Sequence, residues 1–198
     1  MEFISFDLET TGTLSHADHI VEIAAIKFKN GEPFDHFQTL VSIDTPIPEE
    51  AIAIHGITDA MLKGKPSIKD ILPEFAEFCG SQLMVAHNAI FDFQFLSRVI
   101  EEHQEVAPRG MVIDTCQLSR KVFAGLVNYK LSTLCNHLKI TVKDLHRAEA
   151  DAKYCGYLFL KILEALPFSE DIKQVIKFSG KAPLKFPRAF MEGQISLF

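Results

Sequence analysis

The chain has 198 residues, 47% hydrophobic and 23% charged, a balance that suits a folded domain with a substantial core and excludes a disordered chain. Its formal net charge of −6 argues against a simple basic nucleic-acid binder, although carboxylates that hold cations would account for part of the excess. Cys79, Cys116, Cys135 and Cys155 lack the paired spacing of a zinc site and read as reduced core residues, and no apolar run is long enough to span a membrane. With no signal-peptide pattern at the start, the expectation is a cytoplasmic protein without a membrane partner.

The first predicted strand is Phe3-Ile4-Ser5-Phe6-Asp7-Leu8-Glu9-Thr10, followed by Thr11 and Gly12. Side chains alternate along a strand, so Asp7 and Glu9 leave one face while Phe6 and Leu8 leave the other. Two carboxylates side by side repel unless a cation lies between them. Gly12 is expected to let the backbone turn sharply and approach a ligand closely. Residues 19–29 are apolar on both faces and predict a strand covered on both sides. Asn30-Gly31 is a strong hairpin turn, and residues 33–41 return as a third strand, giving an antiparallel three-strand meander.

Residues 46–65 predict short helical turns, with Thr58 as a cap, and Ser67 should cap a helix that ends at Gly80 and that Pro73 should bend or divide. Residues 83–86 form a short apolar strand, and Asn88 is read as the cap of a helix to about His103. Residues 111–114 are a further strand, followed by helical segments over 115–123 and 131–138 and a last long helix over 146–166. The fold class is therefore α/β, a mixed sheet flanked by helices. From residue 167 the composition changes, with three of the nine prolines and five basic against three acidic residues, so the expected division is a domain over 1–166 and a C-terminal tail over 167–198.

Two further carboxylates stand among apolar neighbours. Asp92 lies between Phe91 and Phe93 in the first turns of a predicted helix, as either a helix-dipole partner or a ligand. Asp151 follows His146 by five residues, about 140° of helical rotation, so the two share one site only if His146 lies at or before the helix start. Otherwise they are a surface histidine and a solvated aspartate.

Three motifs occur in order: Phe6-Asp7-Leu8-Glu9-Thr10-Thr11-Gly12, His87-Asn88-Ala89-Ile90-Phe91-Asp92 and His146-Arg147-Ala148-Glu149-Ala150-Asp151-Ala152. Val21-Glu22-Ile23-Ala24-Ala25-Ile26 and His55-Gly56-Ile57-Thr58 lie between them. Over about residues 1 to 166 the chain resembles the DEDD superfamily of 3′-to-5′ exonucleases, in the DEDDh subclass whose third motif carries a histidine, and is similar to the proofreading epsilon subunit of bacterial replicative DNA polymerase. The resemblance implies a ribonuclease H-like sheet and two divalent ions, Mg2+ or Mn2+, held by Asp7, Glu9, Asp92 and Asp151, with His146 as general base. Hard oxygen ligands suit these cations, and four carboxylates balance two of them. The resemblance also implies that Thr10, Ile54, His55 and Phe91 contact the terminal nucleotide, although the spacing of Phe91 equally suits a core residue. His87 either orients Asp92 or the phosphate or merely caps the strand.

Gln194-Ile195-Ser196-Leu197-Phe198 resembles the peptide by which bacterial replication proteins dock on the sliding clamp. The expected function is metal-dependent 3′-to-5′ exonuclease activity at DNA ends in proofreading or repair, with a DNA polymerase subunit as partner. The alternatives are an RNA or oligoribonucleotide exonuclease of the same superfamily and a non-catalytic clamp adaptor.

Overall fold

Asn30 and Gly31, with φ of 54° and 85°, make the left-handed turn that joins the neighbouring strands β2 (Ile20–Lys29) and β3 (Glu32–Leu40). β2 also pairs antiparallel with β1 (Glu2–Thr10), which completes the predicted meander. In the computed structural model, which describes residues 1–142, 146–169 and 171–187, three more strands extend the sheet: β4 (Met84–Ala86), β5 (Met111–Asp114) and β6 (Leu184–Lys185). The order is β3-β2-β1-β4-β5-β6, with β1–β4 and β4–β5 parallel and β5–β6 antiparallel. This is the ribonuclease H-like mixed sheet that the sequence led us to expect.

The alternation along β1 sorts its residues between two cores. Ile4, Phe6 and Leu8 pack with Ile23, Met84 and Ala86 against α3 (Ile68–Cys79) and α4 (Ile90–His103), through Phe75, Phe95, Leu96 and Val99. Phe3, on the opposite face, joins Ile26, Phe28, Val85 and Ile113 under α7 (Ala148–Glu164), which contributes Ala152, Cys155, Leu158, Phe159 and Ile162. Phe3 stacks on Phe28 with ring centroids 5.0 Å apart and meets Phe159 edge-on at 4.9 Å. Each such ring, fully buried, contributes about 1.5–3 kcal/mol. Gly156 lets α7 lie this close to the sheet: a Cβ there would stand 2.2 Å from the Phe28 ring.

The smaller helices are α1 (Glu49–His55), α2 (Asp59–Leu62), α5 (Thr115–Val122), α6 (Leu131–His137) and α8 (Ile172–Ser179). Ser67 caps α3 in a reciprocal box with Asp70, as its sequence predicts. Thr58 holds the N-cap position of α2, but its side chain makes no capping hydrogen bond. Pro73 does not divide α3, which runs unbroken through it; the lost hydrogen bond is one to the carbonyl of exposed Lys69, which water can take.

Asn88 is not the cap of α4. It adopts φ of 64° one residue before the N-cap position, where Asp114 Oδ1 accepts its backbone N–H at 3.1 Å and its carbonyl accepts from Phe91. The compositional change at Pro167 does not end the packed structure either. Val175 of α8 enters the core under α7, β6 pairs with β5, and Phe186 is buried against α4 by stacking on Phe93 at 5.0 Å. Among the described residues no helix is long and apolar enough to cross a membrane, and all four cysteines are buried and free.

Candidate active site

Asp7 and Glu9 leave β1 on the α7 side, and Asp151 comes from the first turn of α7. Oxygens of these three carboxylates lie within 4.8 Å of one another, the arrangement the strand alternation implied. Asp92 approaches from the opposite layer, in the first turn of α4, and is 3% exposed. Its Oδ1 accepts the backbone N–H of Leu8 at 3.1 Å. β4 pairs with β1 only at Ile4 and Ser5, so beyond that point the edge of β1 is open, and the Asp92 carboxylate takes the place of a missing strand carbonyl. Asp92 is therefore more than a helix-dipole partner. Both it and Asp151 sit at helix N-termini, where backbone N–H groups favour negative charge.

The electrostatics are those of a site built for cations. Burial raises Asp7 well above the usual carboxylate range, and the charges of Asp92, Asp151, Glu9 and Glu22 add to the effect. Burial, followed by Asp151, Glu22 and Asp92, pushes Glu9 up to about 8. Asp92 also rises to about 8, mainly through burial, with the Leu8 N–H among the groups that oppose it. Burial likewise raises Asp151, whose Oδ2 accepts the His146 backbone N–H at 3.1 Å. Its Oδ1 is buried and has no hydrogen-bond partner among the described residues. A cluster of acids that cannot all ionise, with one buried carboxylate oxygen left over, fits a divalent cation held by hard oxygen ligands. Asp7, Glu9 and Asp151 would hold it, and Asp92 is placed to share the same set from the far side of β1.

His146 precedes α7 by two residues, in a left-handed backbone conformation with φ of 69° and an exposed side chain. The rotation argument required this: only a residue outside the helix can face the same site as Asp151. Thr10 ends β1 beside Glu9, and its Oγ1 donates to the Gly12 carbonyl at 2.6 Å. Gly12 itself is not in the left-handed region; the residue is small because a Cβ would lie 2.4 Å from the Asp18 carboxylate, which accepts the N–H of Leu14. The backbone bends at residues 11–13 as expected, but without a left-handed φ at Gly12.

His55 is 5% exposed and its Nδ1 accepts the Ile57 N–H at 3.0 Å; burial lowers its pKa, and the nearby Thr10 carbonyl acts in the opposite direction. Ile54 beside it is 61% exposed. Phe91 is half-buried against Phe95 at 5.0 Å, which combines a core contact with an exposed edge. His87 does not orient Asp92, because its ring nitrogens meet Thr115 Oγ1 at 3.0 Å and the Tyr129 carbonyl at 2.8 Å. Gln194, Ile195, Ser196, Leu197 and Phe198 lie outside the described residues.

One residue of the site had no assigned role in the sequence. Glu22 stands opposite Glu9 across β1 and β2, is fully buried, and pairs with Arg147. Burial works against its charge but is outweighed by hydrogen bonds from Arg147, Ala148 and Gln38, so its pKa is lowered. A carboxylate among the apolar residues Ile20, Val21, Ile23, Ala24 and Ala25 was the available signal.

Comparison with known proteins gives the class to which this fold and acidic cluster belong. Residues 4–159 match the RNase_T family model, described as exonuclease, and the chain belongs to that family. It is 39% identical over 163 residues to the PolC-type DNA polymerase III of Halalkalibacterium halodurans, a match covering 82% of this chain and 11% of that protein. It is 40% identical over 180 residues to the PolC-type enzyme of Clostridium perfringens, covering 91% of this chain and 12% of that protein. The chain thus spans about a ninth of the length of these curated relatives. Among solved structures, exonuclease X in complex with 5′ overhanging duplex DNA is 31% identical, with a TM-score of 0.74 over 90% of this chain and 99% of that one. The zinc-bound complex of E. coli exonuclease I with single-stranded DNA shares the fold, with a TM-score of 0.76 and 17% identity over 86% of this chain and 42% of that one.

Proposed function

We propose that this chain hydrolyses the terminal phosphodiester at the 3′ end of DNA and releases nucleoside monophosphates, in replication proofreading or repair. The observation that carries this reading is the convergence of Asp7, Glu9 and Asp151 within 4.8 Å, with Asp92 tied to the backbone of the same strand. Two divalent ions, Mg2+ or Mn2+, held by these four carboxylates would supply positive charge at the scissile phosphate. His146, exposed at the rim beside Asp151, is the general base that takes the proton of the attacking water. Ile54 and the exposed edge of Phe91 offer apolar surface to the terminal base without reading its identity, and His55 lies beside Thr10 at the strand exit. His87 holds the loop around Tyr129 through its ring nitrogen.

DNA is the favoured substrate because exonuclease X, similar over nearly its whole length, was solved on DNA and because the PolC-type relatives are DNA polymerases. A polymerase subunit is the natural partner in proofreading. Clamp docking through Gln194, Ile195, Ser196, Leu197 and Phe198 is a second contact, and the setting is cytoplasmic.

The test is release of nucleotides from 3′-mismatched primer–template, single-stranded DNA and short RNA, with magnesium and with chelator. Magnesium-dependent release, fastest from frayed DNA ends, is expected. Preference for short RNA would move the assignment to the oligoribonucleotide alternative, and stoichiometric DNA binding without release would leave only an adaptor.

A further inference from the structure

Glu22, the third residue of β2, has no exposed side-chain surface, and four donors converge on it. Arg147 gives two, Nη2 to Oε1 at 2.7 Å and Nε to Oε2 at 3.1 Å. The Ala148 backbone N–H adds one to Oε2 at 3.0 Å, and Gln38 Nε2 adds one to Oε1 at 2.6 Å. Two adjacent strands thus grip the N-cap residue of α7 and the first residue of the helix. The side-chain part of that grip is a planar fork, a geometry an ammonium cannot copy.

What the grip holds is the stretch that carries the base. His146 adopts a left-handed conformation that a non-glycine residue keeps only where its surroundings impose it. On one side its backbone N–H is bound by Asp151, and on the other its successor, Arg147, is locked to Glu22. Glu22 and Arg147 therefore fix both the peptide that aims the imidazole and the helical turn that presents Asp151. Arg147 also offsets a fifth carboxylate charge beside Glu9, whose ionisation it favours.

We infer that Glu22 and Arg147 are positioning residues for the reaction proposed above, an assignment that rests on that reading: β2 sets the direction of His146 and the register of Asp151 through this pair. The pair touches no substrate. Its removal should therefore lower turnover and leave substrate affinity in place.

The experiment uses the full chain in four forms: wild type, Arg147→Lys, Arg147→Gln and the double variant Glu22→Gln with Arg147→Gln. Arg147→Gln should lower kcat on single-stranded DNA about 10- to 100-fold, since displacement of a catalytic group by roughly an ångström costs that much, while KM stays within about threefold. Arg147→Lys should recover only part of kcat, because it cannot make both bonds of the fork. The second readout is the ring-carbon NMR resonance of His146 in metal-free, histidine-labelled protein, assigned through His146→Ala. It should be one sharp signal in wild type and displaced or broadened in Arg147→Gln, with the signal of His103, at the other end of α4 from Asp92, unmoved.

Should Arg147→Gln alone fail to fold, the double variant, which buries no unpaired charge, carries both measurements. A double variant with wild-type kcat, or an unmoved His146 resonance in any folded variant lacking the fork, overturns the inference. If wild type releases no nucleotide from any substrate, the proposed function falls, while the resonance still decides whether the pair orients His146.

Discussion

Replacing Asp92 by asparagine should abolish activity and, in chelator near neutral pH, make the protein more stable. Asparagine keeps an oxygen to accept the Leu8 N–H and removes the charge. In the fold Asp92 holds its proton up to about 8, against an ordinary value of 3.8. The unfolded chain releases that proton near 4, so the raised group leaves the fold unpenalised below about 4 and weakens it progressively as pH rises towards about 8.

A shift of this size corresponds to about 6 kcal/mol if Asp92 titrated alone. Asp7, Glu9 and Asp151 share the same field, so the gain cannot be counted once per residue; a single stabilising substitution commonly gains up to about 2 kcal/mol, and that is the size expected here. For a chain of this length that raises Tm by about 4–8 °C. Thermal unfolding in chelator, followed at mildly acidic and mildly alkaline pH, should show wild type losing stability on the alkaline side and the variant losing less. Excess magnesium should stabilise wild type more than the variant, which keeps Asp7, Glu9 and Asp151 but has lost one carboxylate charge. An Asp92→Asn protein that melts below wild type in alkaline chelator would refute the electrostatic reasoning.

His146→Ala should cut kcat by about two orders of magnitude or more, while calorimetry of the variant shows manganese binding close to wild type. Gly156→Ala should destabilise by about 1–2 kcal/mol in denaturant titration, because the clash with a Phe28 ring held between Phe3 and Tyr157 outweighs the better helix propensity of alanine. In a titration with a bacterial sliding clamp, binding of about micromolar strength should vanish when Leu197 and Phe198 both become alanine.

Periodicity exposed much of this molecule in advance. The two-residue repeat of β1 separated Asp7 and Glu9 from Phe6 and Leu8, and Asn30-Gly31 announced its hairpin, because both effects act over a few residues. The offset of five between His146 and Asp151 placed the histidine outside α7 on rotation alone. What stayed hidden depends on distant partners. Asn88 looks like a helix cap, but Asp114, 26 residues away, holds it in a left-handed turn. Glu22 finds its counter-charge 125 residues further on, so its strand gave only the oddity of an acid among apolar neighbours. The tail changes composition at Pro167, and composition carries no record that β6 would add to the edge of β5.

The brevity of β4 has a consequence for redesign. Its ladder with β1 ends after two residue pairs, and the open rung that follows is where the Asp92 carboxylate docks. A longer β4 would satisfy the same backbone donor with its own carbonyl and evict the side chain. On the proposed reading the sheet is catalytic where it stops being a sheet, so lengthening this strand for rigidity would trade a reactive vacancy for one more inert pairing.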